Sequence, residues 1–203
     1  MTIEATSRKR QIVTEFRQAE ILTAATHVFG SKGFEATRME DIAVAAGLAK
    51  GTLYLYFDSK DAIYEATVEQ AVAELSELTE KHLSVATGLS GQLGAFITVR
   101  ISFWKEKQAL YRVILSMNRE GNSGHRSLKW QQKAVDALSA LFVAAAQRRE
   151  IPEQDFSSAA WAILDLIRGV NERRITREER TPAQEAEFLT AFALNALRFE
   201  KTI

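Results

Sequence analysis

Lys50, Gly51, Thr52, Tyr54 and Tyr56 fall within one short stretch, and together their chemistry suits a nucleic-acid groove. Gly51 and Thr52 are small enough to let a backbone approach base edges. A threonine hydroxyl can bond either kind of edge, and its methyl can touch a thymine methyl. The phenols of Tyr54 and Tyr56 can reach phosphate oxygens, while Lys50 and Lys60 supply positive charge. Leu53 and Phe57, interleaved with them, suit an inward face. One side of the segment is therefore fit for contact and the other for packing.

Such a surface must be held at a fixed angle, and the residues before it supply the brace. Thr37 and Glu40 stand in the Thr-x-x-Glu relation of a capping box, which predicts that a first helix begins there. Met39, Ile42, Ala43 and Ala46 give that helix one apolar stripe. Gly47 follows where a helix ends in the left-handed region, and Leu48 plugs the turn. Thr37 to Lys60 thus reads as two short helices around a tight turn. In this helix-turn-helix plan the first helix braces and the second offers its N-terminal residues to base edges. Ser59 is placed to cap the next helix, so that its N–H groups, with Lys60, face a phosphate. In an ordinary helical hairpin Tyr54 and Tyr56 would be core aromatics. Leu53 and Phe57 already fill the inner face, and two more rings would crowd a very small domain.

On these residues the region from Phe16 to Lys60 resembles the N-terminal domain of TetR/AcrR-type transcriptional regulators. The likeness runs through Ile21-Leu22-Thr23-Ala24-Ala25, Phe29-Gly30-Ser31-Lys32-Gly33-Phe34, Thr37 and Asp41-Ile42-Ala43. It continues through Ala46-Gly47-Leu48, Lys50-Gly51-Thr52-Leu53-Tyr54 and Tyr56-Phe57-Asp58-Ser59-Lys60. Beyond Lys60 it extends only to length and helical character. The resemblance implies an all-α chain. A three-helix helix-turn-helix DNA-binding domain would occupy residues 1–60, and a helical bundle for dimerisation and ligand binding residues 61–203. It implies a homodimer on a palindromic operator of double-stranded DNA, released when a small-molecule effector occupies the C-terminal domain. It places the DNA contacts on Thr37, Lys50, Gly51, Thr52, Tyr54, Tyr56 and Lys60, and Arg38 joins them by charge and position. Ala49 departs from the family's pattern. It occupies the usual Ser, Thr or Asp cap position, and losing such a cap costs about 1 kcal/mol.

Composition narrows the function classes. The chain has 203 residues, a mass of 22.7 kDa and 46% hydrophobic residues, enough for one or two helical domains with a real core. Cysteine is absent, which excludes disulfides, zinc–thiolate clusters and a thiol nucleophile. His27, His82 and His125 lie far apart without ligand-like spacing, so neither a metal nor another cofactor is expected. No carboxylate sits beside a nucleophile or base in a recognisable constellation, and there is no glycine-rich phosphate loop. An enzyme is therefore not expected. No apolar run approaches a membrane span, and Met1-Thr2-Ile3-Glu4-Ala5 lacks a signal peptide's apolar region, so the expected location is the cytoplasm, with no membrane partner. A formal net charge of zero argues against a non-specific coating protein but not against a site-specific one. Arg8-Lys9-Arg10, with Arg17 beyond, leaves two readings open: an arm reaching an adjacent groove ahead of the first helix, or a solvated tail.

Periodicity predicts helices over about 16–31, 38–45, 49–56, 60–86, 91–106, 109–119, 125–149, 156–176 and 182–199, and no strand. Thr181-Pro182-Ala183-Gln184 is a second capping box, with proline at the first helical position. The helix after Ser59 reads as the mechanical link between the domains. The last two helices read as the subunit interface. Ile163, Ile167 and Val170 lie on one, and Phe188, Phe192 and Leu197 on the other, which is apolar around most of its circumference. Two such helices from each subunit would form a four-helix bundle. Phe96, Phe103, Trp104, Tyr111, Met117 and Trp130 have core spacing and are together the candidates to line an apolar or aromatic effector cavity. Asp165 interrupts an apolar run. It either pairs with Arg168 at the bundle's wet edge or meets a cationic or hydroxylated effector. The alternative function is a DNA-bound scaffold or constitutive regulator whose C-terminal domain recruits a protein, and a solid core without a ligand-sized cavity would favour it.

Overall fold

The computed structural model describes residues 2–119, 124–177 and 180–198. The chain is all-α. Its helices are α1 (Thr2–Lys32), α2 (Met39–Ala45), α3 (Lys50–Tyr54), α4 (Lys60–Leu83) and α5 (Gly88–Glu106). They continue with α6 (Gln108–Arg119), α7 (Gly124–Gln147), α8 (Phe156–Thr176) and α9 (Pro182–Ala196). Two compact units result. The first takes in Met1–Ala71 with Ala109–Arg119, the second Val72–Gln108 with Glu120–Ile203. Each is built around its own core.

Several helices depart from their predicted bounds, and two of the departures bear on the DNA-facing segment. α1 begins at Thr2, so Arg8-Lys9-Arg10 belong to its helical backbone and do not precede the first helix. No glycine or proline interrupts residues 2–29, and a helix anchored at Ile21 and Ala25 extends toward the N-terminus unopposed. α3 is shorter than expected. The N–H groups of Leu55 and Tyr56 reach back only three residues, to the carbonyls of Thr52 (3.2 Å) and Leu53 (3.0 Å), which tightens and closes the helix.

In the first unit α1 buries Ile21, Leu22, Ala25 and Phe29 and packs against α2, which buries Met39, Ile42 and Ala43 and packs in turn against α3 with its buried Leu53. Phe29, Phe34 and Tyr64 form a ring cluster, with centroids 5.3 Å (Phe29–Phe34) and 5.4 Å (Phe34–Tyr64) apart. Burial pushes the Tyr64 phenol up to about 12, so it stays protonated. α6 adds buried Leu110, Tyr111 and Val113. It comes so close to α1 that a Cβ on Gly30 would lie 2.7 Å from that of Ala109, and glycine alone fits there. Leu53 is fully buried. Leu53→Ala is expected to destabilise this unit by about 2–5 kcal/mol, read from a urea unfolding curve.

The second unit is organised on α5, which packs against α7, α8 and α9. Leu89, Leu93, Phe96, Ile97 and Ile101 of α5 meet Val135, Leu138 and Phe142 of α7 and the inner stripes of α8 and α9. Asp155 caps α8, its carboxylate accepting from the Ser158 N–H at 3.0 Å and the Ser158 hydroxyl at 2.6 Å. The Thr181–Gln184 box caps α9 as the sequence predicts. The interface expectation needs correcting here. Ile163, Ile167, Val170 and Leu197 are buried inside this unit, because α8 and α9 must each cover one apolar stripe against α5 before any other surface is left open. Phe188 and Phe192 remain outside, 51% and 49% exposed and stacked on each other at 6.3 Å.

Candidate nucleic-acid interface

The brace forms by local rules, with one shift in register. Arg38, not Thr37, is the cap of α2, and its backbone N–H donates to the Asp41 carboxylate at 2.9 Å. The Thr37 side chain is buried, its hydroxyl donating to the Gly33 carbonyl at 2.7 Å, so the Thr37–Glu40 box does not form. At the other end Gly47 adopts φ +66°. The Leu48 N–H reaches the Ala43 carbonyl at 2.8 Å and the Gly47 N–H that of Val44 at 3.1 Å, the paired bonds of a Schellman turn. Ala49 is the cap of α3 and offers no side-chain acceptor. Ser59 accepts from the Ala62 N–H at 3.1 Å and so caps α4.

With Leu53 holding α3 to the core, the opposite side stays uncovered. Tyr54 is 43% exposed, Gly51 and Lys50 are exposed, and Thr52 and Tyr56 are half-buried. A Cβ on Gly51 would meet open space, so its lack of a side chain serves approach by something outside the chain. Lys50 pairs with Glu40 and lies 5.9 Å from the Tyr54 ring centre. The Lys50 hydrogen bond holds the Glu40 carboxyl below the usual carboxylate range, and Glu40 in turn raises the Lys50 ammonium. Both side chains are exposed, so a phosphate can replace Glu40 on Lys50 with little desolvation. Arg38 is exposed and in no ion pair among the described residues.

Lys60 is placed differently from a free phosphate-binding ammonium. Its Nζ donates to the carbonyls of Phe34 (2.9 Å) and Glu35 (3.1 Å) and sits 4.5 Å from the Phe34 ring centre. It ties the start of α4 to the loop before α2, and Thr37 fixes that same loop from inside. Both are positioning residues in this conformation.

Sequence reasoning passed over Val44 and Leu55, which are 80% and 82% exposed. Their apolar character, in a segment where Leu53 and Phe57 pack inward, gave no signal of exposure. The short α3 explains Leu55, because the chain turns there instead of completing the inner stripe.

The residues expected around an effector divide between the two units. Phe96 and Phe103 are buried in the second unit, where Trp104 and Trp130 are half-buried. Tyr111 belongs to the first unit instead, because α6 packs with α1. The side chain of Met117 lies outside the described residues. Asp165 is exposed, its carboxylate 3.0 Å from Arg168, which places it at the wet edge and outside the aromatic interior. An open cleft of about 440 Å³ at the α7–α8 turn is lined by Ala146, Arg149, Glu150, Ile151, Pro152 and Arg198, and by none of these aromatics.

Residues 21–67 match the family model described as bacterial regulatory proteins, tetR family. The uncharacterized HTH-type transcriptional regulator YfiR of Bacillus subtilis is 40% identical over 80 residues, 38% of this chain and 39% of that protein. The HTH-type transcriptional activator FasR of Mycolicibacterium smegmatis is 30% identical over 107 residues, 53% of this chain and 49% of that protein. The chain thus spans less than half the length of these curated relatives. Among solved structures, the fatty acid degradation regulator FadR from Bacillus halodurans superimposes with a TM-score of 0.82 over 91% of this chain and 97% of that one, at 19% identity. At that identity the likeness concerns the fold.

Proposed function

We propose that this chain, whose residues 21–67 match the tetR family of bacterial regulatory proteins, is a homodimeric repressor, held on a palindromic operator and released by a small-molecule effector. The observation that carries the DNA-binding reading is the sidedness of α3. Leu53 is fully buried, while Gly51 and Tyr54 stand open on the other side of the same short helix. In this reading α3 lies in the major groove, with Thr52 and Tyr54 toward base edges and the nearest phosphates. Lys50, Arg38 and Tyr56 take the backbone on either side, and Leu55 has the size and polarity to meet a thymine methyl.

The second copy belongs on the open face of α8 and α9. Phe188 and Phe192, with Leu166 of α8, leave a larger apolar surface there than the small alanines around them would. A two-fold axis through this face would bring two copies of each helix together as a four-helix bundle. α4 is one unbroken helix that contributes to both units, and a change of its position in the second unit would be felt at the first. An effector coupling of about 1–3 kcal/mol would lower operator affinity by about 5–150-fold.

Selection from a random duplex pool with the purified chain tests the proposal. The expected product is an inverted repeat whose half-site centres lie about 34–36 Å apart, one turn of the duplex. A pool that emerges without any enriched sequence would defeat it.

A further inference from the structure

Arg100 sits in the middle of α5, inside the second unit, and is 7% exposed. Its Nη1 donates to the Thr79 hydroxyl at 3.2 Å and to the Phe96 carbonyl at 3.4 Å. The guanidinium carbon stands 3.4 Å from the centre of the Phe96 ring. Among the described residues no carboxylate pairs with it. Three carboxylates of this unit pair with surface cations: Glu74 with Lys107, Glu150 with Arg148, and Asp165 with Arg168. Burial without an opposing charge pushes the Arg100 pKa down to about 9. A hydroxyl, a carbonyl and a ring face offset only part of the cost of taking a guanidinium out of water.

The surroundings add a second observation. Arg100, Phe103 and Phe96 share one face of α5, and Thr79 belongs to α4. The backbones of α4 and α5 do not come together closely, as those of α5 and α9 do. Long side chains bridge them instead, Arg100 to Thr79 and Lys107 to Glu74. Phe96 and Phe103 thus flank, one turn to either side along α5, the buried positive charge that reaches across to Thr79.

We infer that Arg100 anchors a monocarboxylate effector, with the carboxylate on the guanidinium fork beside Thr79 and an apolar or aromatic tail along Phe96 and Phe103. A single buried cation balances a single negative charge, and the planar fork matches a planar carboxylate. A phosphate dianion would leave net charge inside. The inference rests on the reading of an effector-responsive regulator and names the class of effector.

The test is calorimetric titration of the full chain with straight-chain alkanoates from hexanoate to hexadecanoate and with phenylacetate, alongside the matching primary amides and inorganic phosphate. At least one carboxylate should bind, its amide about tenfold or more weakly. Arg100→Met should weaken the carboxylate by about 30-fold or more and leave the amide unchanged, while Arg100→Lys, with charge but no fork, should fall between. Without ligand, Arg100→Met should melt at the same temperature as the parent or higher, since an uncompensated buried charge has been removed. The inference is overturned if no carboxylate in the series binds, if carboxylate and amide bind alike, if phosphate competes with the carboxylate, or if Arg100→Met melts lower and binds as before. Operator affinity measured with the same carboxylate separates the two readings. Binding without release keeps the anchor and rejects effector-driven release, whereas operator binding with no carboxylate uptake rejects the anchor and leaves the DNA-binding reading intact.

Discussion

Replacing Thr52 and Tyr54 together with alanine is expected to reduce binding to the selected operator to the level of unrelated duplex, with the fold unchanged. Each good base-edge contact contributes about 1–3 kcal/mol of discrimination, and a dimer loses the pair twice. The predicted loss is therefore about a thousandfold or more, read by fluorescence anisotropy at fixed salt. Neither side chain fills the core, since Leu53 and Phe57 do that, so unfolding stability should stay within about 0.5 kcal/mol of the parent. A variant that binds the operator as tightly as the parent would remove α3 from the interface. A variant that loses binding only because it unfolds would show Tyr54 to be a packing residue, against its exposure in the structure.

Converting Phe188 and Phe192 to glutamate should separate the subunits. Full burial of a phenylalanine is worth about 1.5–3 kcal/mol, and these rings are about half covered already. Four of them, two per copy, would then supply roughly 3–6 kcal/mol of the association, and glutamates facing each other add repulsion. Dimer dissociation should strengthen by about a thousandfold or more, visible in sedimentation velocity as a monomer of undiminished helicity. The operator should then bind far more weakly, because two half-sites are no longer engaged by one particle. A sedimentation coefficient unchanged by the double substitution would place the second copy elsewhere.

Local chemistry was the most legible part of the chain. Gly47, Ser59 and the Thr181–Gln184 box declare turns and caps within four residues of themselves, and the structure places them where their spacing predicts. Where two local solutions compete, spacing alone cannot choose. Glu40 and Asp41 are adjacent, so either carboxylate could reach back to a backbone N–H three residues earlier; the Thr37 hydroxyl goes to the Gly33 carbonyl, and Asp41 takes the Arg38 N–H. Helical periodicity shows that a face is apolar but not what covers it. Leu197 and Phe192 look alike in sequence, yet one is buried in the core and the other stays open. Tyr111 follows α5 in the chain but belongs to the first unit, where neighbouring Ala109 lies against Gly30 about eighty residues earlier. Nothing in the sequence around Arg100 signals burial, and only the fold shows that it is inside.

The most direct test of the central claim is methylation interference on the selected operator with the unaltered chain. Methyl groups on guanine N7 project into the major groove, whereas those on adenine N3 project into the minor groove. With α3 in the major groove of each half-site, N7 methylation should block binding symmetrically in both halves, and N3 methylation facing the same helix should not. Interference confined to N3, or present in one half only, would contradict a pair of recognition helices seated in successive major grooves.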